Sequence, residues 1–306
     1  LETAKDYFTQ SLNLSRKIGH RKVECAALGN LGNIHEQQFD YRKAEGYYLE
    51  SLQIAREVQN TKYAVNCLLH LGTLFRKLKD YDKSKKYSEE ALEISSSSGL
   101  HISIASSHNN LGTLYRETGD LEKSVDNFRK SIDAKKSSKL SVSVAGSQRN
   151  LALTYHEFEE YDNAIKLIKE SIFTLQEFGG HSSSVCSHLR SLARIYGDQG
   201  DYTKARKALL ESMEISASID DKQSEALCYH ELGFLEWKFG NYGDEEEYYL
   251  RCLEINREGG FLLGEADVLR DMSKNARRNN LLGKSAELLE KCNEVRAKIG
   301  LNQIEK

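Results

Sequence analysis

Leu111-Gly112-Thr113-Leu114 decides how this chain reads, because near-copies of it recur along the whole length. They stand at Leu31-Gly32-Asn33-Ile34, Leu71-Gly72-Thr73-Leu74, Leu151-Ala152-Leu153-Thr154, Leu192-Ala193-Arg194-Ile195 and Leu232-Gly233-Phe234-Leu235, at spacings of 40, 40, 40, 41 and 40 residues. A degenerate seventh copy follows at Met272-Ser273-Lys274. Self-similarity at one fixed period is the mark of a repeat array, in which each unit buries its apolar face against the next.

A second marker trails each copy: Asp40-Tyr41, Asp80-Tyr81, Asp120-Leu121, Glu160-Tyr161, Asp201-Tyr202 and Asn241-Tyr242. Aspartate and asparagine accept hydrogen bonds from the free amides of a starting helix, so these positions read as N-caps. Each repeat is thus a first helix, a tight turn and a second helix. Gly119, Gly200 and Gly240 precede second helices, and Gly19, Gly99, Gly179, Gly259 and Gly300 close them, as C-cap glycines do. Within second helices apolar residues recur at helical spacing, as in Tyr48, Leu52 and Ile54 or Phe128 and Ile132. The units predicted are a half repeat (1–20, second helix only), repeats at 21–60, 61–100, 101–140, 141–181, 182–221 and 222–261, a degenerate capping repeat at 262–301 and a tail, 302–306. Leu1-Glu2-Thr3-Ala4 aligns with Tyr41 to Ala44 and lacks a first helix and an initiator methionine, so the chain reads as a piece of a longer protein. Met272, Ser273, Ala276 and Asn293 depart from the usual types in the last repeat, as expected of one that faces water.

Composition agrees with a continuous array. Among 306 residues there is no proline, the residue that concentrates in linkers between domains. The 43 basic and 46 acidic residues leave a net charge of −3 spread over the chain, which gives no overall pull toward nucleic acid or an anionic membrane. No apolar run reaches the ~18 residues of a membrane span and no signal peptide is present, so a cytoplasmic, intracellular protein with no membrane insertion is expected.

The repeat markers resemble the tetratricopeptide repeat family. Phe75, Tyr115, Tyr155 and Tyr196 supply its first aromatic, Ala44, Ser84, Ser124, Ala164 and Ala205 its small residue, and Tyr48, Phe128 and Tyr249 its second aromatic. The resemblance covers essentially the whole chain and implies an all-α fold, a right-handed α-solenoid (superhelix) of antiparallel helix pairs whose concave wall is built by first helices. The family's common repeat is shorter and ends in proline. Here each unit has some six residues more, roughly 9 Å of helix shared between two helices. Long repeats carrying Asn30-Leu31-Gly32-Asn33 and Asn109-Asn110-Leu111-Gly112 resemble the Partner-of-Inscuteable type of adaptor, and less closely kinesin light chain and bacterial regulator sensor domains.

Few residues suggest reaction chemistry. The six cysteines form no CxxC pair, and in repeat register Cys25 pairs with Cys186, Cys67 with Cys228 and Cys252 with Cys292, which reads as small core residues and no metal or other cofactor. The histidines make no recognised ligand set. Glu89-Glu90 and Asp244-Glu245-Glu246-Glu247 fall where acids suit a helix start or a solvated face, and Lys135-Lys136…Lys139 where cations suit a helix end. With no phosphate loop or nucleophile elbow, the chain is not expected to be an enzyme.

A binding wall can be read from fixed offsets to each Leu-Gly. Asn30, Asn33, Asn109, Asn110 and Asn150 form an amide-rich front, and asparagine can both donate to and accept from the backbone of an extended chain. Arg149, Arg190, Arg194, Arg270 and Lys274 make the back basic, and guanidinium groups grip carboxylates in two-pronged fashion. His230, Phe234 and Trp237 form one stripe, with Trp237 a candidate anchor or a core residue replacing the usual aromatic, whose slot holds Glu236. The expected function is a scaffold or adaptor that binds a partly extended, acidic segment of a partner protein. The alternatives are a sensor or autoregulatory segment of a larger signalling protein and, less favoured, RNA binding.

Overall fold

In a computed structural model, residues 2–137, 141–301 and 303–304 are described; Leu1, Lys139 of the basic cluster and residues 302, 305 and 306 of the tail lie outside them. The described residues form fifteen helices and no strand. In chain order they are α1 (Glu2–Lys17), α2 (Arg21–Gln37), α3 (Tyr41–Glu57), α4 (Thr61–Lys77), α5 (Tyr81–Ser97), α6 (His101–Glu117), α7 (Leu121–Ser137), α8 (Ser141–Glu157), α9 (Tyr161–Glu177), α10 (Ser182–Gln199), α11 (Tyr202–Ser218), α12 (Lys222–Lys238), α13 (Tyr242–Gly259), α14 (Leu262–Arg278) and α15 (Leu282–Lys298). No helix among them is long and apolar enough to cross a membrane.

Two compact units divide the chain, residues 1–158 and 159–306. Within each, every helix packs on the next, α1 through α8 in one and α9 through α15 in the other, and successive first helices also touch. The apolar spacing of each helix supplies the faces that meet. Leu28, Leu31, Tyr48, Leu68, Leu71 and Leu74 are buried in unit 1, and Tyr249, Leu253, Val268 and Leu269 in unit 2, each side chain contributing about 1.5–3 kcal/mol on burial.

The Leu-Gly glycine is explained by what lies against it. A Cβ on Gly32 would stand 2.5 Å from the Tyr48 ring, and one on Gly112 would stand 2.9 Å from Phe128. Where alanine replaces this glycine, as at Ala152 and Ala193, the facing second-helix residue is an aliphatic, Ile168 or Leu209. At Gly32, Gly112 and Gly233 the helices therefore approach closely enough for an aromatic ring to fill the space a methyl would take, and at Gly72 Ser88 fills it.

Four of the six expected caps form: Asp40, Asp80, Asp120 and Asp201 accept from the amides of Lys43, Lys83, Lys123 and Lys204. Glu160 and Asn241 do not cap. The Asn241 amide instead donates to Glu236 at 2.7 Å, because that buried carboxylate needs donors. Turns depart from the glycine reading in two ways. Gly260, not Gly259, takes the left-handed conformation after α13, and the same conformation is held by Phe39, Gln59, Lys79, Glu159, Asp220 and Asn280 where no glycine marks the turn. Glu245, expected on a solvated face, is buried, and its Oε1 accepts from the Asn275 amide at 2.6 Å. Burial raises the Glu245 carboxyl above its ordinary value.

Candidate functional site

First helices carry the candidate site residues, and their contacts follow one rule: residues about one repeat apart on successive first helices face each other. In unit 1 the Asn150 side chain donates to Asn109 Oδ1 at 3.0 Å, and the Asn110 side chain donates to the Leu69 carbonyl at 3.1 Å. Asn33 Oδ1 accepts from the Tyr48 hydroxyl at 2.7 Å, and that phenol also reaches Glu36 at 2.7 Å. Asn30 is half-buried and has no hydrogen-bonded partner among the described residues. Much of the amide capacity expected to hold a ligand thus ties one repeat to the next. The sequence spacing that lines these residues up along a wall also makes them one another's neighbours.

Charges on the same wall pair by the same rule. Lys77 Nζ lies 2.7 Å from Glu36, Arg76 pairs with Glu117, and Arg116 Nε lies 3.5 Å from Glu157. The His70 ring stacks on Tyr48 with centroids 5.1 Å apart, and burial lowers its pKa, favouring the neutral form. Arg149 is half-buried on α8. Of the basic cluster on α7, the Lys135 ammonium is not a free surface charge: it donates to Ser147 Oγ at 2.8 Å, and desolvation lowers its pKa.

Unit 2 places most of the basic and aromatic candidates together. Arg190 Nε lies 3.6 Å from Glu231, with Nη1 buried and without a hydrogen-bond partner. Asp271 is a hub: His230 Nε2 approaches it at 3.1 Å, Arg270 Nε at 3.0 Å and Lys274 Nζ at 3.4 Å, while Arg270 also reaches Asp267 at 2.8 Å. Burial alone would raise the Asp271 carboxyl, but the hydrogen bonds from His230 and Arg270 outweigh it and hold the group well below the usual carboxylate range. The back of the wall is therefore not a free basic patch. Arg190 and His230 face acids of the next first helix and Arg270 and Lys274 face acids of their own, whereas Arg194 is exposed and has no ion-pair partner among the described residues.

Between α10, α12 and α14 these side chains frame an open cavity of about 220 Å³, lined by Ala193, Arg194, Gly197, Leu209, His230 and Phe234 among others. Phe234 is 45% exposed and offers an apolar wall. Trp237 stands outside the lining: it is half-buried, with the Arg278 guanidinium 4.3 Å from its ring centroid and Phe234 at 5.7 Å. Phe234, not Trp237, is the aromatic that the cavity presents.

Gly197 was not singled out from sequence, yet it opens the cavity. Its counterparts on α2, α4 and α6 are Glu36, Arg76 and Arg116, whose side chains span to Lys77, Glu117 and Glu157 of the next first helix. At Gly197 that rung has no side chain, and Lys238, which would complete it, pairs with Asp198 instead. The signal was available as a glycine where every other repeat carries a large side chain. Asp198 and Lys238, also lining residues, needed the pairing rule to be recognised.

A family model for the tetratricopeptide repeat matches residues 1–57, 64–137, 143–218 and 183–258. No curated protein sequence matches the chain. Among solved structures, BtubC from P. vanneervenii is similar at 20% identity over 72% of this chain and 92% of its own, with a TM-score of 0.62. Aspartyl phosphate phosphatase F from Bacillus subtilis is similar at 17% identity over 96% and 77%, with a TM-score of 0.69. The Rap conjugation gene regulator of the plasmid pLS20, in complex with the Phr* peptide, is similar at 15% identity over 94% and 77%, with a TM-score of 0.64. At such identities the likeness is one of fold.

Proposed function

The chain belongs to the tetratricopeptide repeat family, and from that footing we propose that it works by binding, not catalysis, as a protein-interaction module that holds an extended segment of a partner against the first helices of unit 2. The observation that carries this reading is the cavity beside Phe234 with Arg194 exposed at its edge. An apolar side chain of the partner enters the cavity, and a neighbouring carboxylate of the partner meets the Arg194 guanidinium. The ligand this suits has one acid beside one apolar residue. A longer acidic run gains little more, since Arg190, Lys238, Arg270 and Lys274 already pair with Glu231, Asp198 and Asp271.

An array of synthetic peptides pairing one carboxylate with one apolar side chain tests this by fluorescence anisotropy. Arg194→Glu and Gly197→Glu are each expected to weaken the best peptide at least tenfold, about 1.4 kcal/mol, with unit 2 unfolding at an unchanged denaturant midpoint for Arg194→Glu. A peptide bound equally by the native chain and both variants would overturn the reading. Arg190→Glu is the wrong probe, since it sets a new carboxylate against Glu231 and destabilises the fold itself.

A further inference from the structure

In the second helices before α15 one register position carries an aliphatic residue or methionine, from Leu12 on α1 and Leu52 on α3 to Leu253 on α13. On α15 it carries Asn293. Leu253 lies in one buried cluster with Val268 and Leu269 of the next first helix, whereas the Asn293 side chain grips backbone. Its Oδ1 accepts from the Ile304 N–H at 2.8 Å, and its amide donates to the Ile304 carbonyl at 3.0 Å. A helix satisfies its own N–H and C=O groups, so asparagine gains nothing from a helix packed against it, while a segment outside regular structure offers both groups free. Ile304 lies in no helix, and among the described residues α15 packs on no helix but α14. Asparagine at this position therefore suits a face that receives an extended chain, where earlier repeats receive the next helix.

Ile304 covers that face only in part. It is half-buried against the apolar cluster of unit 2, and beside it an open cavity of about 390 Å³ remains, walled by Leu282, Ala286 and Leu289 of α15 and Arg277 of α14. Leu282, Ala286, Leu289 and Asn293 fall at i, i+4, i+7 and i+11, one stripe of one helix. Arg270 and Lys274 also line the cavity but pair with Asp267 and Asp271, whereas Arg277 is exposed and has no ion-pair partner among the described residues. We propose that α14 and α15 form a second peptide site, distinct from the cavity beside Phe234, which takes an extended partner segment carrying an aliphatic residue next to a carboxylate. Ile304 is the tethered occupant of this site and is displaced when the partner binds. Asn293 makes the same two backbone hydrogen bonds to the partner, the aliphatic side chain lies on Leu289, and the carboxylate meets the Arg277 guanidinium. Two hydrogen bonds and one half-buried side chain hold Ile304 by little more than its tether, so a free segment with a better fit exchanges with it.

The probe is a fluorescein-labelled peptide, Leu-Asn-Gln-Ile-Glu-Lys, which repeats residues 301–306 and is titrated with the whole chain while its anisotropy is followed. Ile304→Asp vacates the site in place and should raise the peptide's affinity about tenfold or more over the native chain, in which Ile304 competes. Adding Asn293→Leu to Ile304→Asp should cancel that gain, and so should exchanging the peptide's glutamate for lysine. Leucine is the residue of α13 at this position, and unfolding curves check that the variants stay folded. Should the leucine variant unfold, Asn293→Asp supplies the same comparison, since it keeps the shape and loses the amide donor. An Ile304→Asp chain that binds no better than the native, or a double variant that binds as the Ile304→Asp chain does, would overturn the proposal. So would a peptide bound as tightly with lysine as with glutamate, or an Ile304→Asp chain that pairs with a second copy by light scattering and takes up no peptide.

Discussion

Unit 1 and unit 2 use one helix-pair repeat to build two different walls. In unit 1 the long residues at one register position, Glu36, Arg76 and Arg116, reach across to the next first helix and close each step. On α10 of unit 2 the corresponding residue is Gly197, which has no side chain to reach across, and a cavity remains beside it. One missing side chain, with no change of backbone plan, leaves a concave site. Repeat position alone therefore does not say where a ligand binds. The residue missing from a rung does.

The sharpest way to break this comparison is to interchange the packing pairs. Gly112→Ala places a methyl about where the Phe128 ring now lies, and overpacking of this kind should cost unit 1 about 3 kcal/mol in urea unfolding. Adding Phe128→Leu recreates the Ala193 with Leu209 combination and should recover more than half of that loss. If the double variant is no more stable than the single one, volume matching across the helix pair is not what sets these residues.

Most of the fold was legible in the sequence because the repeat imposes it. Leu31-Gly32 and its copies announce the first helices, and aspartates such as Asp80 announce the second, each through a local interaction that a residue type reports directly. Turns at Phe39 and Lys79 were silent, since they take the left-handed conformation without a glycine to announce it. The site was less legible for a physical reason. Asn109 and Asn150, or His230 and Asp271, are one repeat apart, and the reading that set them side by side along a wall treated each as free for a ligand. Facing residues on adjacent helices satisfy each other first, because a half-buried amide or charge left unpaired costs more than a ligand contact returns. Glu245 and Asn275 were missed for a related reason: both occupy positions that other repeats fill with small or apolar residues, and only as a pair are they tolerated inside.

A second interchange asks whether unit 2 depends on its hub where unit 1 depends on packing. Asp271→Asn takes from His230 and Lys274 the carboxylate they face and leaves Arg270 with Asp267 alone, and should cost unit 2 about 2 kcal/mol at neutral pH. The pH dependence has a definite sign. The folded pKa of Asp271 lies below its unfolded value, so its stabilisation is fully present above about pH 4, the ordinary carboxylate value, and is lost as pH falls through the folded pKa. Glu245 acts oppositely, its raised pKa making unit 2 gain stability as that buried acid takes up a proton. Denaturant midpoints measured from pH 7 down should therefore rise slightly before they fall in the native chain, and Asp271→Asn should keep the rise and show a shallower fall, since Asp201 and Glu287 of unit 2 are also held below their ordinary values. A native profile with no acid loss would remove Asp271 from its assigned role.

The smallest effect concerns the turns, which differ within unit 1 itself by one residue type. Gln59 holds φ 53° after α3, while Gly19 and Gly99 hold the equivalent turns after α1 and α5. A left-handed backbone costs a residue with a Cβ about 1–2 kcal/mol, and glycine escapes that cost but loses about 0.5–1 kcal/mol through its freer unfolded chain. Gln59 is exposed, and its side chain has no partner among the described residues that the exchange would sacrifice. Gln59→Gly should therefore stabilise unit 1 by about 0.5 kcal/mol in urea unfolding, with no change in the dependence on denaturant. A loss of stability would mean that the Gln59 turn is held by more than local backbone preference. The array's indifference to glycine at these turns would then need a tertiary cause.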